Sequence, residues 1–420
     1  MNDENNRSAP ISLQLNEQIV SGKQAADAFI NQYAETSDLQ VPAERIREVR
    51  EAQATFGRQP GEPVMNLPFN MQELEEAMTA LQLKKSPGPD NITNEMLLHL
   101  GPKAKKKLLQ LYNESWRTGT VPQAWKEAVM IPVHKKGKDK AKPESYRPIS
   151  LTSCTGKLME RLINTRLMWH LEDKSHISPE QAAFRCNHST EDQVTYIAQS
   201  IEDGFQDKKH TLAVWIDLEK AFDKVWKDGL RLKLRKCGVA GRMFKWISQY
   251  LHNRKSRTQI KQHKSKKKVL KQGVPQGGVL SPTLFLVFIK DIIHRLPKNV
   301  KGAIYADDLA LWCSEEYITT ANYRLKLALK EIEDWTRKWQ VKINERKTTF
   351  TVFTLSNQKQ TVHLKINSQE LQSEDTPVYL GVALDKRLTW KEQLNRCQAR
   401  AKIRLALMKK LSGTQWDADQ

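Results

Sequence analysis

Asp217 closes an apolar run, TLAVWID, and the adjacent pair Asp307 and Asp308 sits between AIYA and LALW. Carboxylates set among apolar neighbours lose hydration, and adjacent ones repel, so both effects push protons back on. A bound divalent cation removes that penalty. Few, hard oxygen donors suit Mg²⁺, which keeps waters and takes substrate phosphates as further ligands. Two such ions clamp the attacking and leaving oxygens of an in-line phosphoryl displacement. Two neighbouring aspartates alone are more often a plain polar turn, so this chemistry needs company elsewhere in the chain.

Some company is visible. Gln276, Gly277 and Gly278 form a loop ahead of the helical pattern that starts at Val279. Bare glycines let a backbone approach a nucleotide, and a helix start favours phosphate. Just upstream, residues 254 to 271 hold nine Lys and Arg. Such a run is ordinarily a solvated face. Beside a nucleotide-type loop it suits contact with a phosphate backbone, through Lys266, Lys267 and Lys268 among others. KSKKK also has the composition of a nuclear-import signal.

These residues must be held by regular elements. TLAVWID reads as a strand, and AIYADDLALWCS as a hairpin with the aspartates at its tip. LEKAFDKVWKDGLRLKLRKCG reads as one helix, and VLSPTLFLVFIKDIIHRL as a buried one with Pro282 near its start. EAVMIPVHKKGKDKAKPESYRPISL has strand-like ends around a basic loop. Asn70 and Glu73 have capping-box spacing, with Phe69 and Leu74 at staple positions, and the helix they open runs to KKSPGPDN. EMLLHLGPKAKKKLLQLYNESW, TGKLMERLINTRLMWHLE, ANYRLKLALKEIEDWTRKWQVK and the basic WKEQLNRCQARAKIRLALMKKLSG complete the helical patterns. Alternating helices and strands indicate an α/β or α+β protein.

The whole chain has 420 residues and a formal charge of +20, which suits a polyanionic partner. The first sixty residues carry six Lys and Arg against nine Asp and Glu, a net of −3, leaving +23 on the rest. KQAADAFINQYAET and PAERIREVREAQATF are short helical patterns there, and FGRQPGEPVMNLP is a linker, placing a boundary near residue 62. MNDENNRSAP lacks the basic and apolar regions of a secretory signal, and no apolar run is long enough to span a bilayer. The five cysteines lie far apart without a CxxC, which excludes zinc knuckles and suits a reducing compartment.

SPGPD (86–90), SYRPISL (145–151), QAAFR (181–185), DLEKAFDKV (217–225), GVPQGGVLSP (273–282), YADD (305–308), INERKT (343–348) and YLGVALD (379–385) occur in that order. Together they resemble the reverse transcriptases of non-LTR (LINE-type) retrotransposons, and among these the jockey-like group. The resemblance runs from about residue 65 to 400. It implies an α+β right-hand polymerase: residues 63–390 as fingers and a palm with an antiparallel sheet, 391–420 as the start of a truncated thumb, and 1–62 as an acidic helical extension and linker. It implies RNA-directed DNA synthesis from a primer 3′-hydroxyl, with two Mg²⁺ ions or Mn²⁺ in their place.

Residue by residue, the resemblance makes Asp217 and Asp307 direct metal ligands and gives Asp308 a weaker metal role, while Leu218 offers its backbone carbonyl. Phe222 stands where an aromatic gate excludes a ribose 2′-hydroxyl. Asp223 and Lys224 take structural or capping roles. Gln276, with Gly277, meets the nucleotide and template pair. Arg147, Lys135 and Lys136 are triphosphate contacts, Arg147 foremost because its guanidinium can grip phosphate bidentately. Lys347 assists pyrophosphate departure. Tyr305 belongs with the YADD block beside primer and template, and Tyr379, Leu380 and Gly381 resemble the turn that holds the primer terminus.

The chain departs from this pattern at Ala183, Asn187 and His188, where relatives often carry glycine, glycine and arginine. No apurinic-type endonuclease block accompanies the polymerase blocks, so the chain reads as a polymerase-only fragment, and whether an endonuclease acts in trans is left open. The partners implied are an RNA template, a DNA primer or target DNA, and dNTPs, with no membrane; cytoplasm and nucleus are the implied compartments. Oligomeric state is left open. A second reading is a catalytically impaired, nucleic-acid-binding remnant. A third, a group II intron maturase, lacks its X-domain and HNH signals.

Overall fold

Two five-stranded sheets organise the chain, and each belongs to its own compact unit. The computed structural model describes residues 11–15, 18–57, 59–358 and 360–411. One unit draws on Met1–Ser178, Lys220–Lys290 and Lys338–Val341; the other draws on Pro179–Glu219, Asp291–Arg337 and Lys342–Gln420. The mixture of helix and largely antiparallel sheet makes the protein α+β.

In the second unit the strand order is Gln372–Ser373, Thr349–Phe353, His210–Asp217, Asp308–Glu315, Lys301–Tyr305. His210–Asp217 lies in the middle, which explains its continuous apolar run: Leu212, Ala213 and Val214 are fully buried. The helix Thr190–Gln206 starts in a capping box between Ser189 and Asp192. Its Val194, Ile197 and Ile201 pack on Ala213, Ala303, Ala310, Trp312 and Phe353 of the sheet. Lys301–Tyr305 and Asp308–Glu315 form the expected antiparallel hairpin, turning through Ala306 and Asp307, with Ala306 at φ +56°. The helices Ile318–Trp339 and Lys391–Leu411 appear where the periodicity placed them.

In the first unit Tyr146–Thr152 pairs antiparallel with Glu127–His134, which pairs parallel with Arg254–Ile260. His263–Lys264 and Lys268–Leu270 both pair with Arg254–Ile260. The basic run therefore begins as a strand whose residues alternate between buried and half-buried. Helix Cys154–Asp173 is apolar on most sides and correspondingly buried, and its N-cap Ser153 accepts from Gly156 N at 3.2 Å. The capping box at Asn70 and Glu73 forms, although its helix stops at Thr79. Glu73 also pairs with buried Arg166 at 2.7 Å.

The stretch before residue 62 folds within this unit among the described residues. Helix Gly22–Thr36 lays Phe29 and Tyr33 into a core with Met130, Tyr146 and Ile260. None of the five cysteines, all among the described residues, is joined in a disulfide. No helix among the described residues is long and apolar enough to cross a membrane.

Several expected helices are corrected, among them VLSPTLFLVFIKDIIHRL, in which only Ser281–Ile289 is helical. In LEKAFDKVWKDGLRLKLRKCG only Lys227–Lys236 is helical, and the preceding residues make turns, with Lys220 at φ +49°. Backbone pairing outcompetes the helical period. The carbonyls of Phe222 and Val225 accept from Val274 and Gly273, each at 2.9 Å. Likewise EMLLHLGPKAKKKLLQLYNESW splits into Asn94–Leu98 and Pro102–Thr118, with Pro102 starting a new helix instead of continuing one.

Candidate active site

Asp308 lies directly opposite Asp217 in the antiparallel ladder, and opposite Tyr305 on its other side. Facing residues point to the same side of a sheet, so the Asp217 and Asp308 side chains are immediate neighbours. Asp307 occupies the turn beside them. The turn is braced from within its own unit. Gln181, almost wholly buried, accepts from Ala183 N at 2.9 Å and from Ala306 N at 3.4 Å through Oε1. Ala182 N donates to Ile304 O at 3.1 Å, and Ile304 N donates to Glu180 O at 2.9 Å.

Charge crowding is evident at this end of the sheet. The Asp308 carboxyl is pushed up to about 6 by loss of hydration, then by the negative charges of Asp307 and Asp217. Lys347 partly offsets this. Its Nζ lies 3.3 Å from Asp217 Oδ2 and 3.4 Å from Oδ1, an exposed ammonium beside the carboxylate. Clustered hard oxygen donors of this kind fit a divalent cation. Among the described residues no group of three His, Cys, Asp or Glu is already arranged to hold a metal ion. One or two carboxylates with water and substrate phosphates are what Mg²⁺ takes, so the donor set still fits it. The Leu218–Ile343 bridge is closed by Asn344 N to Asp217 O and Glu219 N to Lys342 O, both 2.8 Å. That bridge does not engage the Leu218 carbonyl, and the Leu218 side chain is buried.

Asp217 and Asp308 line an open pocket of about 380 Å³ with Trp215, Val378 and Tyr379. Tyr379 packs on Trp215 with ring centroids 5.2 Å apart, and its buried hydroxyl has no hydrogen-bond partner. Burial and then Asp308 push its phenol above the usual range. Val378–Tyr379 and Val382–Ala383 form a two-residue hairpin through Leu380 and Gly381, at φ +48° and +87°. Left-handed conformation at both positions explains the glycine and strains the leucine.

The nucleotide-type loop lies in the first unit and is tied down at several points. Gln276 O accepts from Ser150 N at 2.8 Å, and Gln276 Nε2 donates to Asp223 Oδ1 at 2.9 Å. Gly277 has φ +113°, and a Cβ there would come within 2.8 Å of Ser150 O, so only glycine fits. Phe222 stacks on Phe285 of helix Ser281–Ile289 at 4.4 Å and 18°. The expected phosphate site at this helix start is corrected. Glu160 Oε2 already accepts from Val279 N at 2.7 Å and Leu280 N at 3.1 Å, as well as from Tyr250 Oη at 3.1 Å.

The remaining candidates are spread over the first unit. Arg147 is exposed on Tyr146–Thr152, opposite Val133. Lys135, half-buried, donates to Glu144 O at 3.0 Å, and Lys136 beside it is exposed. The basic run is partly neutralised internally. Arg254 is buried against backbone carbonyls, Lys267 pairs with Glu127 at 2.6 Å, and Lys271 pairs with Asp38 at 2.7 Å. Lys266 uses its backbone N–H on Asp27, while the side chains of Lys266 and Lys268 face solvent.

Sequence reasoning missed Glu160 and gave Asp223 only a generic role. Glu160 shares a helical face with Gly156, Ile163 and Leu167, all buried. A lone carboxylate on an otherwise apolar face is the signal that points to it. No sequence signal placed Asp223 against Gln276, because that contact joins distant segments. Asn187, one of the departures noted above, sits at φ +59°. Asn is the residue after glycine that tolerates this conformation best, so the substitution is accommodated.

Comparison with known proteins adds the family. The model for "Reverse transcriptase (RNA-dependent DNA polymerase)" matches residues 133–384. The chain is 37% identical over 344 residues to the "Probable RNA-directed DNA polymerase from transposon BS" of Drosophila melanogaster, covering 79% of the chain and 38% of that protein. It is 31% identical to the "RNA-directed DNA polymerase from mobile element jockey" of the same fly, covering 82% of the chain and 38% of the relative. For the fly "Probable RNA-directed DNA polymerase from transposon X-element" the identity is 28%, over 81% of the chain and 37% of the relative. The chain thus spans well under half the length of these relatives.

Proposed function

Because the chain belongs to the reverse transcriptase (RNA-dependent DNA polymerase) family and is similar to jockey-like non-LTR elements, we propose that it extends a DNA primer along an RNA template. The observation that carries this reading is the Asp217–Asp308 pairing with Asp307 at the adjoining turn. Asp217 and Asp307 are the direct ligands of Mg²⁺ in this reading, with the Leu218 carbonyl as a further donor and Asp308 in a lesser role. When bound, two such ions supply charge stabilisation for in-line attack of a primer hydroxyl on the α-phosphate.

The chain's own residues do the rest. Lys347 holds its ammonium beside Asp217 and in this reading assists pyrophosphate departure. Phe222, fixed by its stack on Phe285, reads the sugar. Gln276 and Gly277 meet the nucleotide, and Arg147, Lys135 and Lys136 take its triphosphate. Tyr305 and the Tyr379–Leu380–Gly381 turn hold primer and template, and Lys266 and Lys268 add exposed charge toward the phosphate backbone. Residues 63–390 are fingers and palm, and 391–420 the start of a thumb, of which 412–420 lie outside the described residues. The exposed Leu394, Ile403, Leu407 and Met408 of helix Lys391–Leu411 suit a helix that packs on further elements.

Primer extension on a defined RNA template with Mg²⁺ and dNTPs tests the proposal, alongside Asp307→Asn. Extension by the parent and none by the variant is expected. Retained activity in the variant overturns the site. Salt-sensitive RNA binding without extension by a folded parent overturns the activity and leaves a nucleic-acid-binding remnant.

A further inference from the structure

Gln276 is oriented by a group that the polymerase reading does not use. Its Nε2 donates to Asp223 Oδ1 at 2.9 Å. The backbone around the pair is stitched by Gly273 N to Val225 O and Val274 N to Phe222 O. Gly273 lies at φ +86°, and a Cβ there would come within 2.5 Å of Asp223 O, so the two segments cannot move apart or closer independently. An ionised carboxylate only accepts hydrogen bonds. Asp223 therefore pairs with the nitrogen end of the Gln276 amide and never with its oxygen, which leaves Oε1 turned away from Asp223.

Asp223 also lines a partly open cleft with Tyr33, Ser150, Lys227 and Arg254. The Tyr33 hydroxyl, supplied by helix Gly22–Thr36, is buried there with no hydrogen-bond partner. The groups facing Asp223 are Lys220 and Lys224 from its own turn, Lys135 from the end of the Glu127 strand, Tyr33 from the N-terminal helix and Gln276 from the loop. Burial pushes the Asp223 carboxyl up to about 6, against the Gln276 hydrogen bond and the three lysines.

We propose that Asp223 is a positioning residue for nucleotide binding: its carboxylate locks the Gln276 amide with the oxygen presented to a hydrogen-bond donor of the incoming nucleotide. This rests on Gln276 being a nucleotide contact. Protonation of Asp223 adds a donor and allows the amide to turn over. Asparagine at 223 has both a donor and an acceptor and allows the same.

The test is dNTP kinetics on a primed RNA template from about pH 5.5 to 8.5 for the parent, Asp223→Asn, Asp223→Glu and Gln276→Ala. Asp223→Asn should raise KM for dNTP about tenfold at the alkaline end, the worth of one hydrogen bond to a charged group, with kcat within about twofold. The parent's KM should climb as pH falls through about 6, the Asn variant's should not, and Asp223→Glu should keep the climb. Nucleotide-dependent stabilisation of the full chain on a dideoxy-terminated primer should give the same affinity order without turnover. If Gln276→Ala raises KM and Asp223→Asn leaves it at the parent's value, the proposal is overturned. If Gln276→Ala itself leaves KM unchanged, the underlying reading of Gln276 fails instead.

Discussion

Asp308 faces Asp217 across one rung of the antiparallel ladder, so two carboxylates share one end and one face of the sheet. The hairpin geometry leaves no slack in this relationship. Ala306 and Asp307 form a two-residue turn, and a one-residue slip would send Asp308 to the opposite face.

Neutralising each acid in turn should therefore rank them. Asp217→Asn and Asp307→Asn each remove a proposed metal ligand and should lower primer extension by on the order of 10²–10³-fold or more. Asp308→Asn should cost less, since it also relieves repulsion. Equal loss at Asp307 and Asp308, measured in single-turnover extension, would reassign the second ligand to the residue that the ladder sets opposite Asp217.

Mg²⁺ uptake should be linked to protons. The Asp308 carboxyl is pushed up to about 6, so it holds a proton more readily than an ordinary carboxylate in mildly acid solution. A cation stabilises the ionised form and expels that proton. Titrating Mg²⁺ into weakly buffered protein should release protons at about pH 6 and almost none at pH 8. Asp308→Asn should abolish the release. Lys347→Met should enlarge it at slightly higher pH, because Lys347 holds the Asp308 value down.

Much of this arrangement is legible in the sequence because it is local. The YADD hairpin, the central Asp217 strand and the capping box at Asn70 all follow from patterns within about ten residues, and the ordered blocks point to the family. The turns after Asp217 are not legible there. LEKAFDKV has a helical period, and only the incoming Gly273–Gln276 segment, some fifty residues on, claims its carbonyls. The internal ion pairs of the basic run are not legible for the same reason. Glu127 and Asp38, far off in sequence, neutralise Lys267 and Lys271.

Phe222 can be tested as a gate separately from its role in packing. Its ring lies flat on Phe285, a contact worth about 0.5–1.5 kcal/mol beyond area burial. Phe222→Val should lose at least that much stability, since apolar burial is lost as well, and should also admit rNTPs, with a rise in rNTP against dNTP use of about tenfold or more. Phe285→Leu should loosen the same stack with a smaller effect on sugar choice. Unchanged rNTP incorporation by Phe222→Val would reduce Phe222 to a core residue.

Glu160 offers a prediction about stability that the polymerase reading does not need. One carboxylate oxygen receives two backbone N–H groups and the buried Tyr250 hydroxyl. Removing it by Glu160→Ala strands three donors in a region too tight for easy rehydration. Gly278 alone shows the crowding, since a Cβ there would lie 2.8 Å from Tyr250 Oη and Ser281 Oγ. Each stranded group costs about 1–3 kcal/mol, so a loss of about 3–5 kcal/mol is expected in urea unfolding. Glu160→Gln keeps one acceptor oxygen of the same reach and should lose less than half as much. Tyr250→Phe removes one of the three donors and should soften the penalty of Glu160→Ala when the two are combined, a coupling that a double-mutant cycle reads directly. Additive losses in that cycle would mean that Tyr250 and Glu160 stabilise the fold independently, and the loop at Gly277 and Gly278 would then be held chiefly from the Ser150 side.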